Sequence, residues 1–546
     1  MRREDQERLL TELRSRIVAE RVERSGRGQE SLEEVLAESI YHERRRLKEE
    51  RDGKLVRADK AFWSAIQSEL PRSTEKRRRD MLGEIVSRYG EEICGNFDPR
   101  VYDVSTSILP PALGVLLNAV SPRRLLGGQA GFGLESTVVV QGEVEHLRSL
   151  QERGTVILCP THVSNLDSPI LGYAIYRMGL PPFVYGAGLN LFTNPMLSFF
   201  MHNLGAYTVD RKKRDPLYKD VLKSYAGLTL ELGYNNLFFP GGTRARSGAI
   251  ERRLKLGLLG TSVGAYVQNL KRGANQPRIF IVPATLSFQL VLEAETLIDD
   301  FLKEVGKSRY IITDDESAKP RRVWDFVSQL FSLHSKIYVT ISRGLDPFGN
   351  DVTDEGISLD PRGREVDIAR YVMVDGEPRI VPQRDAEYTH EAGLRIAEAF
   401  SRDNVIQSTH VTARAVFSLL RKANPDTDLI RLIRVGGKTD DLGMREVYTE
   451  VERLKDELVG LAARGGVRLG ETVAGEDPTG IVADGLRHFA IYHKQPALKR
   501  RGDRIFATDR MLLFYYQNRL EGYRLDRTAG TRPALAEDHL HLGARA

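Results

Sequence analysis

A histidine and an aspartate five residues apart, His162 and Asp167, are the residues best suited to acid–base chemistry. An imidazole can take a proton from an alcohol, and a carboxylate that binds one ring nitrogen leaves the other nitrogen free as the base. O-acyl transfer needs such a base, because an alcohol that keeps its proton attacks a thioester poorly. The pair therefore predicts base-assisted transfer to a hydroxyl group.

The same spacing is compatible with a purely structural role. On a regular helix the two side chains would project about 140° apart, so they meet only on a turn that folds back. Asp167 alone is explained as a helix N-cap, His162 as a turn residue bonded to backbone, and Ser164 as a capping-box partner. Cys159 and Ser164 are alternative nucleophiles. A covalent acyl-enzyme is the less favoured chemistry, because Cys159 is expected to end a buried strand and no second histidine–aspartate set lies near Ser164.

The segment around the pair has the pattern of a strand, a polar turn and a helix. Residues 154–178 have the sequence GTVILCPTHVSNLDSPILGYAIYRM. A buried strand is expected to end at Cys159–Pro160, and Pro169 fits the first turn of a helix that begins at Asp167 or Ser168. The pair then lies after the carboxyl end of a strand, which is the edge where open α/β sheets build ligand sites.

Strands alternate with segments of helix length between about residue 136 and residue 345. The strand-like runs are Thr137–Gln141, Thr155–Cys159, Asn236–Phe239, Ile279–Pro283 and Lys336–Ser342. The alternation predicts an α/β fold with a mixed, partly parallel sheet flanked by helices. We therefore expect three parts: a helical N-terminal region over residues 1–100, the α/β domain over 101–350, and a mostly helical C-terminal region over 351–546.

The composition is that of a globular chain of 546 residues, with 41% hydrophobic and 28% charged residues. Its 80 basic and 75 acidic residues leave a net charge of +5, so charge does not argue for a nucleic-acid partner. Anionic lipid headgroups or phosphorylated substrates would suit the basic clusters, although a solvated helix face is the commoner explanation. These clusters are Arg44–Arg46, Arg77–Arg79, Arg211–Arg214 and Lys499–Arg501.

Cysteine usage and hydropathy bear on the cellular compartment. Cys94 and Cys159 are far apart, which favours a reducing compartment without a disulfide framework. We expect no signal peptide, because the N-terminus is charged, and no spanning helix, because no apolar run reaches about 18 residues. The apolar segment Ile108–Val120 contains Pro110 and Pro111. It is interpreted as core packing, with a place in a membrane interface as the alternative.

Two arginine-bearing segments follow the His162 turn. Residues 205–215, GAYTVDRKKRD, carry Arg211, and residues 235–248, NNLFFPGGTRARSG, carry Arg244 and Arg246 on a glycine-rich loop. Glycines let a backbone approach a ligand closely, and guanidinium groups bind phosphate oxygens in pairs. Each segment alone is a generic basic loop, and the P-loop pattern GxxxxGK[ST] is absent from the sequence.

In their order along the chain, these segments resemble the sequence blocks of the glycerolipid acyltransferase family. HVSNLD at residues 162–167 resembles its H-x4-D signature, and residues 205–211 resemble a second block that ends in arginine. FPGGTRARSG at residues 239–248 resembles the third block, FPEGTRSRSG, and IVPA at residues 281–284 resembles the fourth. The helical leader, LDPFG at residues 345–349 and the tail with NVIQSTH at residues 404–410 resemble the bacterial glycerol-3-phosphate acyltransferase branch.

The resemblance implies a role for each matching residue. His162 would be the general base and Asp167 its orienting partner. The substrate-binding residues would be Arg211, Gly242, Thr243, Arg244, Arg246, Ser247 and Pro283. Arg211 and Arg244 would bind the phosphate, Arg246 less securely, and Pro283 would shape the acyl site.

The resemblance also implies a reaction and a location. The donor would be acyl-CoA or acyl carrier protein, and the acceptor the sn-1 hydroxyl of glycerol 3-phosphate, giving lysophosphatidate. No metal and no other cofactor would be needed. The chain would lie peripherally on the cytoplasmic face of the cell membrane.

One departure from the family pattern concerns the acceptor. The third block normally has a glutamate where this chain has Gly241, and another acidic residue, such as Asp210, could supply the missing carboxylate. Gly241 leaves open dihydroxyacetone phosphate or a lysophospholipid as acceptor. It also leaves open a non-catalytic lipid- or headgroup-binding relative, against which the retained His162, Asp167 and third-block arginines weigh.

Overall fold

A computed structural model describes residues 3–50, 53–98, 101, 137–188, 204–305, 335–491 and 493–525. The apolar segment Ile108–Val120 lies outside the described residues, so both of its interpretations stay predictions. The domain boundaries near residues 100 and 350 stay predictions as well.

A seven-stranded mixed sheet forms the centre of the described structure. Its strands are β1 (Val138–Gly142), β2 (Thr155–Pro160), β3 (Val184–Gly188), β4 (Ala206–Val209), β5 (Asn236–Leu237), β6 (Ile279–Phe288) and β7 (Ile337–Ile341). Their order across the sheet is β1-β7-β6-β2-β5-β3-β4. All neighbours in this sheet are parallel except β6 and β7. The predicted mixed, partly parallel α/β fold is confirmed.

Helices cover both faces of this sheet. They are Val144–Arg153, Asp167–Arg177, Pro216–Glu231, Leu256–Leu259, Thr261–Lys271 and Ala294–Val305. Strand β2 is buried on both faces, since Val156 and Leu158 belong to one apolar cluster while Ile157 and Cys159 belong to another. That alternation follows from the two-residue period of a strand. Strand β2 is therefore central, and the turn that follows it is held rigidly.

The N-terminal region is helical where it is described. Its α-helices are Arg3–Gly26, Leu32–Glu49, Lys54–Glu69 and Glu75–Ile93. They share a buried apolar cluster with the β4 edge of the sheet and the helix Pro216–Glu231, in which Leu13 and Tyr89 join Tyr207 and Tyr225. The N-terminal helices thus support the edge of the sheet that leads to Arg211.

The basic cluster Arg211–Arg214 contains one buried member. The Lys213 side chain is only 3% exposed and forms ion pairs with Glu92 and, at 3.4 Å, with Glu43. Its ammonium group also lies 4.5 Å from the centre of the Tyr89 ring. A solvated face therefore does not explain Lys213, which ties the segment after β4 to the N-terminal helices.

Replacing Lys213 by methionine is expected to lower the free energy of unfolding by about 2 kcal/mol, because the buried Glu43 carboxylate loses one of its charged partners. The Glu43 side chain is 1% exposed and keeps its ion pair with Arg46 at 2.8 Å. Lys212→Met is the matched control, since Lys212 is 71% exposed, and a change within about 0.5 kcal/mol is expected there. Urea unfolding followed by circular dichroism measures both, and equal midpoints would contradict the assignment.

The C-terminal region is mostly helical where it is described. Its α-helices are Pro382–Arg402, Ser408–Ala423, Leu429–Arg434, Met444–Ala463, Glu471–Gly475, Pro478–Phe489 and Arg510–Gln517. Its short strands are Asp351–Val352, Ser358–Leu359, Met373–Val374, Glu377–Pro378, Val405–Ile406, Asp441–Gly443, Arg468–Leu469, Leu498–Arg501 and Arg504–Ala507. Side chains of this region bind the end of β6 and the residues after it: Gln407 donates to the Ser287 carbonyl and Thr409 to the Gln289 carbonyl. The C-terminal region therefore packs directly on the sheet.

Within the part of the chain that the structure describes, no helix combines the length and the apolar character that crossing a bilayer requires.

Candidate active site

The structure brings His162 and Asp167 together on the turn after β2. His162 Nδ1 lies 2.8 Å from Asp167 Oδ2. The carboxylate oxygen accepts this hydrogen bond, so Nδ1 carries the proton and Nε2 is left as the basic nitrogen. The His162 side chain is 13% exposed and that of Asp167 is fully buried. The turn thus presents one imidazole nitrogen outward and holds the carboxylate behind it.

Asp167 stabilises the turn through its side chain. It is the first residue of the helix Asp167–Arg177, whose N-cap position is Leu166. Its Oδ2 accepts hydrogen bonds from the amides of Val163 and Ser164, at 2.6 and 2.9 Å. The carboxylate therefore folds back over the turn and does not cap the helix that it begins.

Ser164 has another role than the capping box. Its Oγ donates to Glu293 Oε2 at 2.8 Å and accepts from the Leu166 amide. Cys159 is fully buried in β2, and burial raises the pKa of its thiol far above the usual range. Neither geometry favours a covalent acyl-enzyme.

The loop that resembles the third block holds His162 from two sides. The Phe239 ring stacks on the imidazole, with ring centres 4.1 Å apart and planes 22° apart. The Ala245 amide donates to the His162 carbonyl at 2.7 Å. The His162 amide in turn donates to Glu251 Oε1 at 2.9 Å. Both ends of the His162 residue are thus fixed by one loop.

Glu251 lies in a buried position next to the pair. Burial raises the pKa of its carboxyl to about 8, the bond from the His162 amide lowers it, and the charge of Asp167 raises it again. Oε2 is buried without a hydrogen-bond partner among the described residues. Burial therefore favours the neutral, protonated form of this carboxyl.

Two of the three predicted phosphate-binding arginines lie near each other. Partial burial of the guanidinium lowers the pKa of Arg211, and the positive charge of Arg244 lowers it further. Arg244 Nη1 lies 3.4 Å from Glu293 Oε1, and the Asn165 amide also donates to Glu293. Arg246 Nη1 instead lies 2.9 Å from the exposed Glu304. Arg244 therefore lies beside the His162 turn, and its charge acts on Arg211, so these two arginines form a basic patch. Arg246 instead reaches the adjacent helix Ala294–Val305.

The other predicted substrate-binding residues occupy different places. Gly242 has φ 73°, and a Cβ there would lie 2.9 Å from Lys255, so this turn requires glycine. Thr243 is exposed. Ser247 Oγ accepts a bond from the Ala249 amide. Pro283 is buried within β6, opposite Cys159. The structure thus gives Gly242 and Ser247 roles in shaping the loop.

Three functional candidates were missed by the sequence analysis: Glu251, Glu293 and Arg519. Arg519 is 5% exposed, donates to Asn404 Oδ1 and to the Leu286 carbonyl, and adds a positive charge near Glu251. One feature of the sequence could have identified Glu251: it is an acidic residue just after the third block, in which Gly241 stands in place of the usual glutamate. Glu293 and Arg519 reach the site only through the tertiary fold.

Comparison with known proteins finds one family match and several curated relatives. The acyltransferase family model matches residues 141–287. A glycerol-3-phosphate acyltransferase of Aeromonas hydrophila is 31% identical over 237 residues, which cover 42% of this chain and 26% of that protein. One of Pseudomonas syringae pv. syringae is 25% identical over 295 residues, or 53% of this chain and 32% of that protein. The chain thus spans about a quarter to a third of the length of these curated relatives.

Among solved structures, the 1-acyl-sn-glycerophosphate (LPA) acyltransferase of Thermotoga maritima shows 16% sequence identity. The alignment covers 50% of this chain and 88% of that chain, with a TM-score of 0.24, a superposition too loose to bear on the fold. The family match lies on the sheet and turn that carry His162 and Asp167. Residues 141–287 thus match the acyltransferase family model, and the chain is similar to glycerol-3-phosphate acyltransferases over 42% to 53% of its length.

Proposed function

We propose that the chain transfers a fatty acyl group from acyl-CoA or acyl carrier protein to the sn-1 hydroxyl of glycerol 3-phosphate, giving lysophosphatidate. The observation that carries this proposal is the 2.8 Å contact between His162 Nδ1 and Asp167 Oδ2 on the turn after β2. The names of the relatives, glycerol-3-phosphate acyltransferases, support the choice of acceptor.

The reaction begins with proton transfer from the acceptor hydroxyl to Nε2 of His162. The oxygen attacks the thioester carbonyl, and the resulting tetrahedral intermediate collapses with loss of the thiolate. The imidazolium then returns its proton to the thiolate, so the enzyme ends in its starting state. Asp167 stabilises the imidazolium while it exists, since it is a buried carboxylate bound to the other ring nitrogen.

The basic patch of Arg211 and Arg244 binds the phosphate of the acceptor. Guanidinium groups bind phosphate oxygens through charge-assisted hydrogen bonds. A phosphate held there fixes which hydroxyl reaches His162, and this positioning supplies much of the rate. The peripheral membrane position expected from the sequence belongs to the same proposal, because the product is a lipid.

Transfer assays on a panel of acceptors test the function. The purified chain is incubated with palmitoyl-CoA or palmitoyl acyl carrier protein and with glycerol 3-phosphate, dihydroxyacetone phosphate or lysophosphatidate. We expect lysophosphatidate from glycerol 3-phosphate as the fastest product, acylated at sn-1. Faster transfer to either other acceptor would reassign the substrate. Liposome binding without transfer to any acceptor would support a non-catalytic, lipid-binding relative.

Replacing Arg244 by alanine is expected to raise KM for glycerol 3-phosphate about 30-fold, because a hydrogen bond to a charged group contributes about 1.5–3 kcal/mol. The KM for the acyl donor should stay unchanged. Arg246→Ala is the matched control from the same loop, and less than a threefold change is expected because Arg246 pairs with Glu304. Steady-state kinetics with varied acceptor measure both. An equal or larger effect at Arg246 would contradict the assignment.

A further inference from the structure

The third-block loop folds back so that Glu251 lies beside Gly241. The Lys255 amide donates to the Pro240 carbonyl at 2.6 Å and closes the loop between these residues. A Cβ on Gly241 would lie 2.5 Å from both Cδ and Oε2 of Glu251, and 2.7 Å from Oε1. Real Cβ atoms essentially never approach other atoms within 3.0 Å. Any side chain at position 241 would therefore enter the space that the Glu251 carboxyl fills.

The backbone of Gly241 does not itself require glycine. Gly241 is not among the glycines with positive φ, whereas its neighbour Gly242 has φ 73°. An L-residue can therefore adopt the main-chain conformation at position 241. What excludes a side chain there is the Glu251 carboxyl. A glutamate at position 241 and a glutamate at position 251 are thus alternative occupants of one space.

Asp210, the other acidic candidate, has different partners. Its Oδ1 accepts from the Lys212 amide at 2.8 Å within its own turn. Its amide donates to Tyr218 Oη, on the helix Pro216–Glu231. Glu251, in contrast, binds the main chain of His162 directly. The structure therefore points to Glu251, and not to Asp210, as the source of the missing carboxyl.

We propose that Glu251 is a positioning residue of the site: its carboxyl takes the place of the family's third-block glutamate and fixes the main chain of His162. The inference rests on the proposed function. Glu251 Oε1 binds the His162 amide while Ala245 of the same loop binds the His162 carbonyl. The residue acts through His162, whose imidazole must stay aligned with Asp167 and with the acceptor hydroxyl.

Moving the carboxyl between the two positions tests the proposal. Glu251→Ala is expected to lower kcat at least tenfold, since a small misplacement of a catalytic group costs up to about 100-fold. Glu251→Gln keeps the acceptor oxygen and should stay within about threefold of wild type. Gly241→Glu alone should also lose at least tenfold, because two carboxyls then compete for one space. The double variant Gly241→Glu/Glu251→Ala should recover at least fivefold over either single variant.

Two results would overturn the proposal: Glu251→Ala within threefold of wild type, or a double variant no more active than Glu251→Ala. Glu387→Ala is the control, because Glu387 is exposed on the helix Pro382–Arg402, and unchanged activity is expected. Recovery relative to Gly241→Glu also follows from relief of the steric overlap, so the deciding comparison is between the double variant and Glu251→Ala. A gain over Glu251→Ala requires that a carboxyl at position 241 restores what position 251 has lost.

Melting temperatures of wild type, Glu251→Ala, Gly241→Glu and the double variant provide a readout that does not depend on turnover. Gly241→Glu should melt below wild type, and adding Glu251→Ala should raise its melting temperature, so the two substitutions are non-additive. Additive effects on the melting temperature would show that side chains at positions 241 and 251 do not compete for one space, and would overturn the proposal. If wild type transfers no acyl group to any acceptor, the proposed function fails, and this stability cycle still decides the relation between positions 241 and 251.

The pH dependence of stability provides a second independent readout. The pKa of Glu251 is raised by burial from 4.5 to about 8, so the folded chain keeps a proton that the unfolded chain releases. The stability of wild type should therefore fall, relative to Glu251→Gln, as pH rises from about 5 to about 8. The charges of Asp167 and Arg519 and the main-chain amide of His162 act on this carboxyl, but they are present in both proteins. Parallel melting curves across this range would contradict a buried, protonated Glu251.

Discussion

Replacing His162 by alanine is expected to lower kcat for acyl transfer to glycerol 3-phosphate by about 1,000-fold, which lies within the usual range for general-base catalysis. The acceptor hydroxyl then has no base, because the carboxylate of Asp167 is fully buried behind the imidazole. The KM for glycerol 3-phosphate should change little, since the substitution leaves Arg211 and Arg244, the proposed phosphate-binding residues, in place. A radiometric transfer assay under saturating donor measures both constants.

The matched control for this substitution is His390→Ala. His390 is exposed on the helix Pro382–Arg402, so activity should be unchanged. The melting temperature of His162→Ala should stay near that of wild type, because the loop keeps its bonds to the main chain of residue 162. Activity within tenfold of wild type in a folded His162→Ala protein would rule out the general-base role.

The strands with clear apolar patterns could be predicted from the sequence, and two others could not. All five predicted runs overlap a strand of the central sheet, because alternating or continuous β-branched residues mark a buried strand locally. Strand β3 was missed because three of the five residues of its sequence, VYGAG, are glycine or alanine, which have low β propensity. Its Gly186 lies so close to the Tyr207 ring that a Cβ would approach to 3.0 Å. This strand therefore forms because of its tertiary contacts and not because of its local β propensity.

The candidate site also combines contacts between residues that are close in sequence with contacts between residues that are far apart, and only the first kind could be predicted. The His162 turn could be predicted because both partners lie within seven residues of the end of β2. Glu251 is 89 residues from His162 along the chain, and Glu293 is 129 residues from Ser164. No local periodicity encodes such contacts. The family comparison predicted a missing carboxylate at position 241, but only the folded loop shows which residue fills the space.

Two segments of the chain with different roles form the candidate site. The turn after β2 carries the imidazole of His162, the proposed base, and its carboxylate partner Asp167, both within one short segment. The third-block loop supplies contacts to the main chain of His162 through Ala245 and Glu251, and the ring of Phe239. Because the loop holds the main chain rather than the reacting atoms, substitutions there should alter alignment. Substitutions in the turn should remove the chemistry itself.

Replacing Asp167 by asparagine separates the charge of this side chain from its hydrogen bonds. All three donors to Asp167, from His162, Val163 and Ser164, meet on the single oxygen Oδ2. The amide oxygen of asparagine can accept the same three bonds, so the turn and the His162 tautomer should be preserved. The negative charge that stabilises the imidazolium is lost. We therefore expect kcat to fall about 100-fold with little change in KM, as when one preorganised electrostatic partner is removed.

Asp167→Ala provides the contrast, because it removes the acceptor as well as the charge. The buried amides of Val163 and Ser164 then lose their partner, which costs about 1–3 kcal/mol each, so this variant should also melt at a lower temperature than Asp167→Asn. Asp426→Asn, at an exposed position, controls for the substitution type. Full activity in Asp167→Asn would show that the carboxylate only shapes the turn, whereas a loss of kcat at unchanged melting temperature assigns its charge to catalysis.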